Sequence, residues 1–150
     1  MTDGSQATRS FGLRYYLHEA AVSAAINAVL SIVFALLVFG GRPSVPTHGP
    51  YSLAVDAVPQ TFMISLMASL VPMLIARRRF ALECARRRVA IDAFGCAIIA
   101  TAIGGALHWL LLPGSGWTLR AALIYKTVYG ATLGAAITVA ALRARSRPRA

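Results

Sequence analysis

The chain has 150 residues, of which 57% are hydrophobic and 13% are charged, and its formal net charge is +10. Soluble domains carry about 25% charged and 45–50% apolar residues, so the composition excludes both a water-soluble domain and an intrinsically disordered chain. Two cysteines do not make a disulfide scaffold. The composition therefore predicts a small integral membrane protein.

Four long apolar segments follow one another along the chain, at residues 20–39, 57–76, 89–112 and 119–142. As α-helices they are about 30–36 Å long, which matches a hydrocarbon core of about 30 Å. Membrane β-strands are about half this length, so a barrel is not expected. The sequence predicts an all-α fold, a bundle of four transmembrane helices that forms a single membrane domain over residues 1–150.

Fourteen arginines set the expected orientation, because most of them lie before the first segment, between the second and third, and after the fourth. The positive-inside rule then places both termini and the 77–88 loop in the cytoplasm. The 40–55 and 113–118 loops are expected on the outside. We expect a multi-pass protein of a bacterial inner (plasma) membrane, with a basic tail at residues 143–150.

Two arginine triplets bound the predicted cytoplasmic loop, and they are its candidate lipid- or partner-binding residues: Arg77, Arg78, Arg79, Arg86, Arg87 and Arg88. Anionic lipid head groups at the cytoplasmic face are the expected partner. Docking of an acidic cytoplasmic protein is an alternative. Nucleic acid is not an expected partner, because no groove-reading motif or aromatic platform accompanies the basic residues.

The two halves of the chain show a weak duplication. Arg14 is followed five residues later by Glu19, and Arg87 five residues later by Asp92. Both pairs come just before or at the start of an apolar segment, which suggests two tandem helical hairpins in parallel orientation. The alternative is that any two hairpins with cytoplasmic ends carry arginine at these places.

Small and polar residues recur every four positions in each segment and predict the packed faces, because close approach and hydrogen bonds drive helix association in lipid. The first stripe is Glu19, Ser23, Asn27, Ser31 and Ala35; the second is Asp56, Gln60, Ile64 and Ala68; the third is Asp92, Cys96, Ala100, Gly104 and His108; the fourth is Ala122, Lys126, Gly130, Gly134 and Thr138. Gly104, Gly130 and Gly134 are the candidate packing glycines. A homodimer is a possible assembly.

Four polar side chains lie within about 10 Å of the expected outer surface, counted by helical rise: Asp56, Gln60, His108 and Lys126. An ionisable residue inside the membrane is a candidate site by default, so these residues are predicted to line a polar cavity for a solute or proton. The structural alternative is that Lys126 only pairs with Asp56 or hydrogen-bonds Gln60.

Three further site candidates have an ordinary structural explanation as well. Glu19, Asp92 and also Asp56 are expected in the first turn of a helix, where the helix dipole favours a carboxylate. Asn27 is expected near the bilayer centre, where an amide more often joins helices than binds a ligand.

Two functions follow from these observations. The first is a transporter or efflux protein for a small solute, with a polar site near the outer face. The alternative is a non-catalytic accessory, assembly, stress or immunity protein that acts through helix faces and the basic loop. No catalytic residues, metal site or cofactor are predicted, because no nucleophile–base, phosphate-loop or metal-ligand spacing stands out.

Overall fold

The structure, a computed structural model, describes residues 12–80 and 85–146. Within these residues it contains four α-helices: α1 (Leu13–Phe39), α2 (Leu53–Arg79), α3 (Arg86–Leu111) and α4 (Leu119–Ser146). Each is long and apolar enough, by length and composition, to cross a membrane. The predicted all-α bundle of four helices is confirmed, and the chain is a multi-pass membrane protein.

The helices extend beyond the apolar segments. α1 begins at Leu13 rather than at residue 20, and the arginine triplets at 77–79 and 86–88 are the ends of α2 and α3 rather than parts of a loop. Helices of 26 to 28 residues are about 39–42 Å long, so their ends pass beyond a hydrocarbon core of about 30 Å. The middle of the predicted loop, residues 81–84, and the tail after Ser146 lie outside the described residues.

The two ends of the bundle differ in chemistry. At the arginine end, α1 and α3 begin and α2 and α4 end. At the strand end, the connections contain β1 (Ser44–Val45) and β2 (Trp117–Thr118), which pair antiparallel with Ser44 opposite Thr118. The sequence did not predict this short strand pair, which joins the α1–α2 connection to the α3–α4 connection.

In space the helices lie in the order α1, α4, α2, α3, because α1 packs along α4, α4 along α2, and α2 along α3. α1 and α2, although consecutive, make few contacts with each other. This is the order that a twofold relation between the two halves produces: each outer helix packs on the central helix of the other half. The hairpins suggested by the duplication are thus interleaved rather than packed as separate units.

The central helices α2 and α4 run in the same direction, and a hydrogen bond joins them near the arginine end. Pro72 has no N–H, so it leaves the Ala68 carbonyl without its usual helical donor. The Thr138 hydroxyl donates to that carbonyl at 2.9 Å. Both Thr138 and Ala68 are buried, so α4 satisfies the backbone group that the proline in α2 frees.

α1 and α4 bury the faces that the sequence predicted. The buried residues of α1 are Glu19, Ser23, Asn27, Ser31, Ala35 and Phe39, and those of α4 are Ala122, Lys126, Gly130, Gly134, Thr138 and Leu142. Gly130 lies directly against Ser31, and Gly134 against Asn27 and Ser23. A larger residue at either glycine would overlap α1, so the glycines permit this close approach.

The predicted face of α3 is wrong over its first half. The structure buries Val89, Ala93 and Ala97, whereas Asp92 is exposed and Cys96 half-buried. The i, i+4 row used for the prediction drifts by about 40° at each step. The observed face instead steps by seven residues from Ala97 to Gly104, two full turns, and so stays in contact with α2.

Candidate functional site

A cleft separates α1 from α2, with α4 behind it. It has a volume of about 570 Å³ and is lined from Glu19 to Phe34 on α1 and from Asp56 to Ile75 on α2, with Lys126 contributed by α4. These stretches of helix are about 22 and 29 Å long, so the cleft runs through most of the membrane thickness. It exists because α1 and α2 pack on α4 rather than on each other.

The walls of the cleft are apolar. They are formed by large side chains that remain 41–55% exposed: Val22, Ile26, Leu30 and Phe34 on α1, and Met63, Met67, Val71 and Ile75 on α2. In a membrane this opening faces lipid, where exposed apolar side chains are favourable. Methionine adapts its shape to different apolar partners, so the α2 wall suits a flexible occupant.

The α1 floor of the cleft is polar. The Gln60 amide of α2 donates to the Ser31 hydroxyl at 2.8 Å and so crosses the gap between α2 and α1. One turn further toward the arginine end, the Asn27 amide donates to the Ser23 carbonyl at 2.8 Å within α1. Asn27 therefore bonds within its own helix, while Gln60 makes the interhelical contact.

An ion pair lies at the strand end of the cleft. The Lys126 ammonium of α4 donates to the Asp56 carboxylate of α2, and the two side chains are 3% and 17% exposed. The ammonium also lies 5.4 Å from the centroid of the Phe39 ring, a cation–π distance. The sequence offered a pair between Lys126 and Asp56 as the structural alternative to a solute site, and this pair is present. Both residues also line the cleft.

Glu19 lies near the arginine end of the same cleft and is buried. The imidazole Nδ1 of the neighbouring His18 is 3.9 Å from the Glu19 carboxylate. Helix-dipole stabilisation was the expected reason for Glu19 and Asp92, and it is wrong for both. α1 and α3 begin earlier than predicted and have no acidic residue in their first turns, whereas Asp56 does lie in the first turn of α2.

His108 is in a different part of the bundle. Its Nδ1–H donates to the Gly104 carbonyl at 2.7 Å, and its ring packs edge-on against Tyr129, with 4.5 Å between centroids. Thr61 donates to the Ala57 carbonyl at 2.6 Å, so the Tyr129 hydroxyl must donate to Thr61 across their 2.6 Å contact. The structure therefore brings Lys126, Asp56 and Gln60 together on one cleft and leaves His108 outside it.

Sequence reasoning missed two features of the site. Ser31 was assigned only to helix packing, although it accepts the hydrogen bond from Gln60. The sequence pattern does not single out Met63 and Met67, which both line the cleft. Their four-residue spacing was the available signal, but an exposed apolar pair in a membrane helix ordinarily faces lipid. Within residues 12–80 and 85–146, no group of three His, Cys, Asp or Glu side chains is placed to hold a metal ion.

Comparison of the chain with models of known protein families, with curated proteins and with solved structures gave no match.

Proposed function

We propose that the protein transports a small solute across the membrane and that Lys126 and Asp56 form its polar contact. One observation carries this proposal: an ion pair between the buried Lys126 and the half-buried Asp56 lies in the cleft, and among the described residues it supplies two of the three ionisable side chains of the lining. Charged groups inside a membrane are costly and commonly mark solute or ion pathways.

The pair is suited to exchange between a closed and an occupied state. Without solute, Lys126 and Asp56 neutralise each other, which limits the cost of burying both charges. A solute with a polar or charged group competes for one partner. Gln60 lies on the same cleft, one helical turn from Asp56, and its amide oxygen offers an additional acceptor.

The arginine distribution supports the orientation. Arginines crowd the end where α2 and α3 are connected, so we propose that this end faces the cytoplasm of a bacterial inner membrane. The strand end, and with it the Lys126–Asp56 pair, then faces outward. A solute would meet the pair close to the outer surface.

Flux in liposomes tests the proposal. The full chain is reconstituted with a pH-sensitive dye inside the vesicles, and cationic, anionic and neutral solutes are screened for solute-linked proton flux. We expect flux with one solute class and its loss in Lys126→Met and in Asp56→Asn.

Asp92→Asn is the matched control, because Asp92 is a membrane-helix carboxylate that lies outside the cleft. Full flux is expected for this variant. Flux that survives in Lys126→Met would reduce Lys126 to a packing residue. No flux with any solute would contradict transport and favour the accessory role through helix faces and the basic end.

A further inference from the structure

The arginine end of the cleft has a different chemistry from its interior. Cleft-lining residues of α2 recur every three or four positions through Val71 and Ile75, and the same spacing next reaches Arg78 and Arg79. The Arg79 guanidinium lies 5.7 Å from the centroid of the Tyr15 ring, so it reaches from α2 to α1. Arginine therefore stands at the mouth of an apolar cleft.

The charge inside the cleft is negative overall. Within the described part of the chain, its lining contains two carboxylates, Glu19 and Asp56, and one ammonium, Lys126. An anionic head group is therefore repelled from the interior and attracted to the mouth, where Arg78 and Arg79 are exposed. A neutral hydrocarbon chain meets no such barrier.

The width of the cleft selects its occupant. A volume of about 570 Å³ spread over a length of about 22–29 Å makes the cleft long and narrow. Carbon atoms pack at about 3.5–4 Å, so one extended hydrocarbon chain fits this shape. An α-helix is about 10–12 Å across and does not enter it.

We propose that the cleft holds one acyl chain of an anionic phospholipid whose phosphate binds Arg78 and Arg79 at the mouth. The second arginine triplet does not take part, because α3 lies on the far side of α2 from α1. This inference goes beyond the proposed transport function and does not depend on it. The lipid enters from the side, and the strand end of the cleft stays open to a solute.

Lipid retention by the full chain tests this site. The protein is reconstituted in vesicles of phosphatidylglycerol and phosphatidylcholine in equal amounts, extracted in a mild nonionic detergent, and its retained lipid is identified by mass spectrometry. We expect phosphatidylglycerol to be retained. The double variant Arg78→Gln/Arg79→Gln should weaken retention about 30-fold. This factor is the product of the contributions of two arginines, each worth about 5-fold in affinity for an anionic membrane surface.

Two matched controls distinguish this site from non-specific lipid binding by positive charge at the arginine end or by exposed apolar side chains. Arg86→Gln/Arg87→Gln removes the same charge from the same end and should leave retention unchanged. Met67→Trp fills the cleft and should abolish retention, whereas Ile99→Trp, at a 63% exposed position on α3, should not. Elution as a single species shows that each variant is folded.

Equal loss in both arginine variants, retention that survives Met67→Trp, or equal retention of phosphatidylcholine would each overturn the proposal. Retention is measured without flux, so the two proposals fail separately. Flux without retained lipid would contradict only the lipid site, and retained lipid without flux would contradict only transport.

Discussion

The contact between α1 and α4 allows a quantitative prediction, because Gly130 lies in this contact and Gly130→Ala adds only one carbon atom to it. A methyl carbon at Gly130 would lie 3.1 Å from the Asn27 carbonyl oxygen and 3.2 Å from Ser31 Cβ, and it would overlap the Ser31 hydroxyl. Carbon atoms normally pack at about 3.5–4 Å. The backbone of α1 must therefore shift to accept Gly130→Ala.

Two opposing terms set the size of the effect. Overpacking of this kind costs about 1–3 kcal/mol. Replacing a helical glycine with alanine returns about 0.5–1 kcal/mol through the reduced freedom of the unfolded chain. We expect Gly130→Ala to lower the free energy of unfolding by about 0–2.5 kcal/mol.

Gly95 supplies the matched control. It lies in the middle of α3, and a methyl carbon there meets nothing within 4 Å. Gly95→Ala should raise the free energy of unfolding by up to about 1 kcal/mol. Both variants are measured by equilibrium unfolding in mixed micelles, where an SDS titration reports loss of helix. If Gly130→Ala were as stabilising as Gly95→Ala, the close packing of α4 on α1 would be refuted.

Two further predictions concern hydrogen bonds and charge inside the bundle. Thr138→Val should lower the free energy of unfolding by about 0.6–2 kcal/mol. In a Pro72→Ala background the loss should be smaller, because alanine at position 72 gives the Ala68 carbonyl a helical donor again. A double-mutant cycle that shows no coupling would contradict the hydrogen bond between Thr138 and Ala68. Lys126→Met should lower the free energy of unfolding by about 3–5 kcal/mol because it leaves the Asp56 carboxylate unpaired. Adding Asp56→Leu should recover most of that loss. A double variant that is no more stable than Lys126→Met would contradict the ion pair.

Helix number, approximate bounds and two packed faces were predictable from the sequence. In α1 and α4 the small and polar residues differ clearly from their neighbours, so Asn27 and Gly130 mark the buried stripe without ambiguity. Near the start of α3 the polar residues mark the wrong face, because Asp92 and Cys96 lie on one side of the helix and the small residues Ala93 and Ala97 on the other. The structure buries Ala93 and Ala97, whereas the face that contains Asp92 and Cys96 is not buried.

The order of the helices could not be predicted, because periodicity shows which face is buried but not which helix covers it. Depth alone therefore indicates the pairing of Lys126 with Asp56. Depth also grouped His108 with them, and the structure places His108 against Tyr129 instead. The cleft itself depends on α1 and α2 packing on α4 rather than on each other, and no residue pattern in either helix signals that gap.

The accessibility of Gln60 tests most directly whether the strand end of the cleft is a water-facing polar site. Gln60→Cys is placed in a background with Cys84→Ser and Cys96→Ser and treated in intact membranes with a membrane-impermeant thiol reagent. Thr138→Cys is the buried control, since Thr138 is fully buried against α2. We expect Gln60→Cys to react from the side opposite the arginine end and Thr138→Cys not to react. Equally slow reaction at both positions would show that water does not reach this end of the cleft.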